Sequence, residues 1–180
     1  MLDGRVPDAV LSLMTGFKCG HGLASSSKQF VSGLEEQQMP TRSASAQWEG
    51  GLKGGRGNYK GANGLAGQYN FSSRFEEGPG SNPEELLAAA EAACYSMALS
   101  GALERNGTPP TRVDTTAHCT VEKSEAGFSI TRMKLDVRAN VPKIDDATFQ
   151  RLATEARDGC PVSRALRGNV DIQVSATLKS

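Results

Sequence analysis

The strongest pattern of apolar and polar positions is a long alanine-rich run at residues 82–106. Asn82 is a good helix cap, Pro83 suits the first helical position, and Glu85 stands at the third, as in a capping box. Gly107 follows the run, as a glycine often does just past a helix end. The pattern predicts one long helix, and its stripe of small apolar residues is typical of a buried central helix.

Alternation of apolar and polar residues predicts strands further along the chain. Residues 111–122 and 170–178 alternate cleanly. Residues 124–127 predict a hairpin turn into a strand at 128–138. The apolar positions of that strand shift past Ile130, which indicates a β-bulge.

Shorter elements surround these segments. Residues 45–75 are rich in glycine and predict short strands joined by tight turns. Residues 145–158 predict a helix that Asp145 caps and Gly159 ends, and Pro161 can open a further short helix. The order is strands, long helix, hairpin, helix and strand, which predicts an α+β fold with an antiparallel sheet.

The composition narrows the classes of function. A chain of 180 residues is long enough for one domain with a sizeable core. Its 20 basic and 20 acidic residues balance, so we expect no nucleic-acid partner. Its 4 cysteines and 2 histidines have no zinc-binding spacing, and the cysteines are too few for a disulfide-rich secreted domain. No apolar run reaches the roughly 18 residues of a membrane span. We therefore expect a cytoplasmic protein with no bound metal and no membrane partner.

The beginning of the chain differs from the rest. It is rich in Ser, Gly and Gln and has no sustained period. We interpret residues 1–40 as a disordered or accessory extension and residues 41–180 as a single domain. An alternative is that Met39 is the biological start of the chain.

Two cysteines lie in settings that suit thiol chemistry and suggest a two-cysteine redox enzyme. Cys160 precedes the helix-opening Pro161, and the free amides and dipole of a helix start stabilise a thiolate. Cys94 lies mid-helix among alanines, where burial would raise its pKa, so a reactive Cys94 needs a nearby positive charge. Arg56 and Arg74, on short strands or turns upstream, are the candidates for that charge.

The other two cysteines carry no predicted chemistry. Cys119 shares a strand face with apolar residues and is interpreted as a small buried hydrophobe. Cys19 lies in the unpatterned beginning of the chain and is assigned no role.

Glu84 poses a problem of distance. It stands ten residues before Cys94, which is about 15 Å along a straight helix. The carboxylate therefore reaches the thiol only if the helix bends or if a partner chain supplies it. A carboxylate alone beside a thiol would disfavour the thiolate, so Glu84 makes sense there only if it holds an arginine that in turn holds the sulfur.

Several motifs, in this order and spacing, resemble one known family. They are Arg74-Phe75-Glu76, Asn82-Pro83-Glu84-Glu85-Leu86, Ala92-Ala93-Cys94-Tyr95-Ser96-Met97-Ala98-Leu99-Ser100, Asp114-Thr115-Thr116-Ala117, Gly159-Cys160-Pro161-Val162-Ser163 and Leu178-Lys179-Ser180. Residues 45–180 are similar to the family of osmotically induced protein C (OsmC) and organic hydroperoxide resistance (Ohr) peroxidases, and residues 1–40 are unmatched. The Cys-Pro-Val-Ser form resembles the OsmC branch.

The resemblance implies a thiol peroxidase of oxidative and osmotic stress defence that reduces organic hydroperoxides better than hydrogen peroxide. Cys94 resembles the peroxidatic cysteine, which attacks the peroxide, and Cys160 resembles the resolving cysteine, which then forms a disulfide with it. Glu84 matches the family glutamate. Arg74 matches the arginine of the OsmC branch, and Arg56, at the position used by the other branch, is held in reserve.

The resemblance also implies an architecture and partners. Antiparallel sheets would pack around long central helices in an obligate, intertwined homodimer, with no bound cofactor. An external dithiol, dihydrolipoamide or a lipoylated protein, would reduce the disulfide. Leu87, Met97 and Phe75 are candidates to line a pocket for a lipid-like hydroperoxide.

Two other interpretations stay open. The protein could be a non-catalytic dimer that binds a hydrophobic small molecule and buries both cysteines in its core. It could also be a redox sensor that signals through the same disulfide. The first predicts no disulfide after peroxide treatment, and the second predicts a disulfide but few turnovers with any dithiol.

Overall fold

Two three-stranded sheets and four helices form the regular structure of residues 40–125 and 127–179, the part of the chain that the computed structural model describes. In chain order the elements are β1 (Ala44–Glu49), β2 (Arg56–Gly61), β3 (Ala66–Asn70), α1 (Phe71–Phe75), α2 (Pro83–Arg105), β4 (Arg112–Ser124), β5 (Gly127–Asn140), α3 (Asp146–Gly159), α4 (Pro161–Leu166) and β6 (Asp171–Lys179). The predicted α+β class is confirmed. The expected extension lies outside the described residues except for Pro40, so its boundary stays a prediction.

The glycine-rich segment forms the first sheet and then a short helix. β1, β2 and β3 pair antiparallel in chain order, as predicted. The strand ends at Asn70, whose side chain accepts from the Ser73 N–H at 2.9 Å, while the Ser73 hydroxyl accepts from the Asn70 N–H at 3.0 Å. This reciprocal cap starts α1, so Arg74, which we expected on a strand or turn, lies on a helix.

The second sheet, formed by β4, β5 and β6, is mixed. β4 and β5 form the predicted hairpin, in which Thr120 pairs with Arg132 and Val121 pairs with Ile130. Thr131 is therefore the extra residue of the predicted bulge. The expectation of a wholly antiparallel sheet is corrected by β6, which runs parallel to β5 because α3 and α4 carry the chain back before β6 begins.

One face of α2 packs on the second sheet and on α3 to form the core. Tyr95, Leu99 and Leu103 lie one helical turn apart and are fully buried, as is Leu135 on β5. Burying each leucine side chain contributes about 1.5–3 kcal/mol. The Tyr95 hydroxyl also donates to the Ala153 carbonyl of α3 at 2.9 Å. These contacts fix α2 against the helix that leads to Cys160.

The opposite face of α2 is open in the single chain. Met97 is 77% exposed and Ala93 is exposed as well, so the expected burial of this helix holds for one face only. By length and composition α2 could span a membrane, and it is the one such helix in residues 40–125 and 127–179. It carries the buried Glu84 and Glu91 and packs into the core, so a core helix accounts for its composition.

Candidate active site

Cys94 and Cys160, the two cysteines predicted to carry thiol chemistry, are neighbours in the structure. Cys94 lies on α2, and Cys160 is the residue between α3 and α4. The Cys160 N–H donates to the Ala156 carbonyl at 2.9 Å, and the Cys160 carbonyl accepts from the Arg164 N–H at 2.9 Å. Cys160 is fully buried and Cys94 is half-buried, and both are free thiols. The pair is thus a dithiol with one accessible member.

The surroundings of Cys94 within one chain favour its protonated form. Burial raises the pKa of the Cys94 thiol above its ordinary value, and a hydrogen bond with the Cys160 thiol raises it further. The Val162 N–H donates to the Cys94 sulfur and lowers the pKa in part, whereas a charge on Glu91 would raise it. A thiolate at Cys94 therefore needs a positive group that the described part of one chain does not bring to it.

Arg74 and Glu84, the predicted ion pair, bind each other in a forked geometry. Arg74 Nη2 lies 2.7 Å from Glu84 Oε1, and Arg74 Nε lies 3.1 Å and 3.2 Å from the two carboxylate oxygens. Arg74 Nη1 has no hydrogen-bond partner within the described residues. A bidentate, charge-assisted pair of this kind fixes the plane of the guanidinium.

The elements that carry the ion pair are joined to each other. Glu84 is on the first turn of α2 and only 9% exposed. Arg74 is on α1, and Asn82 ties the two helices by donating to the Ser73 carbonyl at 3.0 Å. The N-terminal end of α2 therefore holds both Glu84 and, through α1, its arginine.

A cavity of about 380 Å³ opens beside the ion pair, and Arg74, Asn82 and Glu84 make part of its wall polar. Phe75, Val121 and Phe128 line it, and the rings of Phe75 and Phe128 lie 5.1 Å apart between centroids. The Arg74 guanidinium lies over the Phe75 ring, 5.1 Å from its centroid. Phe128 is 57% exposed, so this wall is open to solvent in the single chain.

A second cavity, of about 250 Å³, is more apolar than the first. Trp48, Leu52 and Phe71 line it, and it shares Arg74 and Phe75 with the first cavity. Arg74 thus lines both a partly polar cavity and an apolar one. Such a position suits a ligand with a polar head and an apolar body.

Cys119 also lines the larger cavity. Burial raises the pKa of the Cys119 thiol, and the charge of Glu84 raises it further. The thiol therefore favours its protonated form, and it packs against the core as a partly buried group rather than as the buried hydrophobe that we predicted.

The cysteine pair and the ion pair are separate clusters within one chain. No hydrogen bond or ion pair joins Arg74 or Glu84 to Cys94 in residues 40–125 and 127–179. α2 runs unbroken from Pro83–Arg105, so no interruption brings Glu84 back to the thiol.

Arg56 and the three residues suggested for a substrate pocket lie in different surroundings. Arg56 begins β2, is 85% exposed and lies 3.7 Å from Glu49. Of the three apolar candidates, Phe75 lines both cavities, Leu87 packs on the core, and Met97 lies on the open face of α2.

Glu91 and Ser163 lie next to the cysteines and were given no role from the sequence. The Ser163 hydroxyl donates to Glu91 Oε1, and Glu91 Oε2 has no partner within the described chain. Burial raises the pKa of Glu91, although the Ser163 hydrogen bond lowers it in part. In the sequence, Glu91 is a single acidic residue among alanines, one turn before Cys94, and nothing there indicates what it contacts.

Solved structures define the class of fold. An organic hydroperoxide resistance protein from Elizabethkingia anophelis is 26% identical with a TM-score of 0.62, covering 79% of this chain and 99% of that chain. The organic hydroperoxide resistance protein OhrB of Bacillus subtilis is 25% identical with a TM-score of 0.57, covering 75% and 98%. This α+β unit therefore has the fold of OsmC and Ohr proteins.

Sequence comparison gives the family. The family model described as OsmC-like protein matches residues 76–175. "Peroxiredoxin OsmC" of Escherichia coli (strain K12) is 45% identical over 129 residues, which are 71% of this chain and 90% of that protein. An "Organic hydroperoxide resistance protein" of Xanthomonas axonopodis pv. citri is 33% identical over 99 residues, covering 54% and 68%. The chain belongs to the OsmC-like protein family, and the resemblance found from its motifs is confirmed.

Proposed function

We propose that this protein is a peroxidase of peroxide defence that uses Cys94 and Cys160 to reduce organic hydroperoxides to alcohols. Relatives named as a peroxiredoxin and as organic hydroperoxide resistance proteins support the peroxide-defence role. The observation that carries the cysteine mechanism is the half-buried Cys94 thiol beside the buried Cys160 thiol. Two free thiols so placed can cycle through a disulfide.

The cycle begins at Cys94, because a substrate can reach this thiol and not the fully buried Cys160. The Cys94 thiolate attacks the distal peroxide oxygen, the O–O bond breaks, and the other oxygen takes up a proton and leaves as the alcohol. Cys94 is thereby oxidised to a sulfenic acid. The Cys160 sulfur then bonds to the Cys94 sulfur, and the hydroxyl leaves with the Cys160 proton as water.

The thiolate needs a cation, and we assign that role to Arg74 of the partner subunit in a homodimer. In one chain the pKa of Cys94 is raised, while Arg74 Nη1 lies beside an open cavity without a protein partner in the described residues. Glu84 fixes the guanidinium and the open face of α2 offers a surface for a second chain. A dimer that brings Arg74 to the opposite Cys94 would lower the pKa of that thiol and stabilise charge on the leaving oxygen.

The cavity walls favour an organic hydroperoxide over hydrogen peroxide. Phe75, Phe128 and Val121 can bury an apolar substituent beside the guanidinium, and hydrogen peroxide has no such substituent. Each buried methylene contributes about 0.8 kcal/mol. Substrates with a bulky or long apolar group should therefore have the highest kcat/KM.

An external dithiol would close the cycle. It reduces the Cys94–Cys160 disulfide by exchange and is itself oxidised to a disulfide, so the protein needs no bound cofactor. We assign this role to dihydrolipoamide, free or on a lipoylated protein. We place the enzyme in the cytoplasm, where the surroundings keep both thiols reduced between turnovers.

The test is the steady-state consumption of cumene hydroperoxide, with hydrogen peroxide in parallel and dihydrolipoamide as the reductant. We expect saturable turnover that prefers the organic substrate, and no turnover in Cys94→Ser. Cys119→Ser removes a thiol outside the proposed cycle and is the thiol control: its KM can change, because Cys119 lines the cavity, but it should keep turning over. Turnover that survives in Cys94→Ser would remove Cys94 as the attacking group.

Two outcomes would point to the other interpretations. A non-catalytic binding protein would leave Cys94 and Cys160 as free thiols after peroxide treatment. A redox sensor would form their disulfide but turn over few times with any dithiol. The two cavities fit a binding protein as well, so the thiol state after peroxide treatment is the deciding observation.

A further inference from the structure

Glu91 and Ser163 form a buried hydrogen bond close to the two cysteines in the chain. Glu91 stands one helical turn before Cys94 on α2, and Ser163 stands three residues after Cys160 on α4. The Ser163 hydroxyl donates to Glu91 Oε1, and the two side chains are 1% exposed or less. The bond therefore ties together the two segments that carry the thiols.

We propose that Glu91 and Ser163 are positioning residues for disulfide closure, because their hydrogen bond holds Cys160 against Cys94 while Cys94 is a sulfenic acid. The inference rests on the proposed function. Closure needs the two Cα atoms within about 7 Å of each other. A displacement of α4 would therefore slow closure more than the attack of Cys94 on the peroxide, which α4 assists through the Val162 N–H.

The short helix α4 depends on contacts with the rest of the chain to keep its position. It has 6 residues, fewer than an isolated helix needs for stability, and the Cys160 side chain makes no capping hydrogen bond. Within the described residues two ties join its first turn to α2: the Val162 N–H to the Cys94 sulfur, and Ser163 to Glu91. Oxidation of Cys94 places an oxygen on the sulfur that accepts from Val162. The Glu91–Ser163 tie does not involve sulfur and persists through that step.

The carboxyl is not explained by packing alone. Glu91 is fully buried, and its Oε2 lacks a hydrogen-bond partner in the described chain. Leaving a buried polar atom unpaired is unfavourable, and an apolar pair of similar volume would fill the space at lower cost. A charge on Glu91 would also oppose the Cys94 thiolate, so the side chain does not assist the attack. The role that remains for the Glu91 carboxyl is to accept the hydrogen bond from Ser163.

The test separates the two chemical steps in a single turnover. Cumene hydroperoxide is mixed with reduced protein, loss of the Cys94 thiol gives the rate of attack, and mass spectrometry with dimedone trapping gives the rate at which sulfenic acid becomes disulfide. In Ser163→Ala we expect closure about tenfold slower than in wild type, as for the loss of one buried hydrogen bond. The rate of attack should change much less than the rate of closure, because α4 affects the attacking thiol through the Val162 N–H.

Ser96→Ala is the matched control. Ser96 also joins α2 to a neighbouring element, through Thr115 on β4 at 2.8 Å, but it has no bond to the Cys160 segment. This variant loses a half-buried hydrogen bond of the same helix and should close its disulfide at the wild-type rate. Equal slowing in both serine variants would overturn the proposal, because it would make the effect a general loss of packing.

A second pair of variants tests the same hydrogen bond by changing its acceptor, Glu91. Glu91→Gln keeps an oxygen that accepts from Ser163 and should close at a rate near that of wild type. Glu91→Met fills a similar volume without an acceptor and should be slowed as Ser163→Ala is. This pair decides the question if Ser163→Ala does not fold. Equal closure rates in Glu91→Gln and Glu91→Met would overturn the proposal.

A redox titration with reduced and oxidised glutathione tests, without any peroxide, how closely the Cys160 thiol is held to Cys94. It gives the effective concentration of the Cys160 thiol at Cys94, which we expect to fall about tenfold in Ser163→Ala. Absence of hydroperoxide turnover in wild type would contradict the proposed function alone. An unchanged effective concentration in Ser163→Ala would contradict the role of Glu91 and Ser163 alone.

Discussion

At the residue scale, burial sets the protonation of the groups around Cys94. Burial raises the pKa of both Cys94 and Glu91, so the folded chain favours the protonated forms of two acids one turn apart. The sequence predicted a role for Cys160 from its place at a helix start and for Cys94 from the resemblance of its segment to the OsmC/Ohr family. It did not identify Glu91, because the carboxyl is explained only by Ser163, which lies 72 residues away in the chain.

The raised pKa of Glu91 predicts a pH dependence of stability. The folded state favours the protonated carboxyl, so this contribution to stability is complete below the ordinary Glu value of 4.5 and is lost as pH rises through the folded-state pKa. Glu91→Gln cannot ionise and avoids that loss. Its melting temperature minus that of wild type should therefore grow as pH rises above about 4.5.

Thermal unfolding of both proteins between about pH 4 and pH 8 checks this prediction. The titratable group that interacts with Glu91 is the Cys94 thiol on its own helix, and the pKa of that thiol is raised. Glu85→Gln, on the exposed side of the same helix, is the matched control. A difference between wild type and Glu91→Gln that is the same at every pH would contradict the raised pKa.

At the scale of elements, the sequence predicted those that carry several agreeing signals. α2 has a cap, a proline at its first position and a glycine beyond its end, and it begins and ends as expected. α1 was missed because its cap pairs Asn70 with a serine at the third position, a weaker signal than the usual Glu or Gln. The parallel direction of β6 was missed because alternation reports which face of a strand is buried and not which way it runs.

The junction of α1 and α2 yields a prediction about Asn82. This side chain accepts from the Glu85 N–H at 2.8 Å and donates to the Ser73 carbonyl at 3.0 Å, so it both caps α2 and holds α1. Asn82→Ala should lower the free energy of unfolding by about 1 kcal/mol for the cap. It should also lower hydroperoxide turnover, because Arg74 on α1 loses its fixed position relative to Glu84.

Urea unfolding and turnover measured on the same preparation check both parts. Asn106→Ala, at the other end of α2, removes an exposed bond to Thr108 at 3.1 Å and is the control. It should leave turnover unchanged. An Asn82→Ala protein that is destabilised but turns over like wild type would mean that α1 holds Arg74 without this tie.

At the scale of the whole molecule, each chain has two separate polar clusters on α2 and one open helix face. The dithiol lies at the middle of α2, the Arg74–Glu84 pair lies at its start, and Met97 marks the face that no described residue covers. The helical rise alone predicted this separation, because ten residues of straight helix span about 15 Å. A single sequence could not give the second chain's position, since the arrangement of two surfaces leaves no periodic signal. A two-fold dimer would place the cysteine pair of each chain beside the Arg74–Glu84 pair of the other, and so would contain two such sites.

The most direct measurement is the cumene hydroperoxide turnover of a hybrid dimer. One chain carries Arg74→Ala and the other carries Cys94→Ser, and two different affinity tags allow the mixed dimer to be purified. Each parent dimer should be inactive or nearly so, because every site lacks one member. If Cys94 works with Arg74 of the partner subunit, the hybrid keeps one complete site of two and should show about half the wild-type activity per dimer. A hybrid no more active than its parents would contradict the shared site and place Arg74 and Cys94 in the same chain.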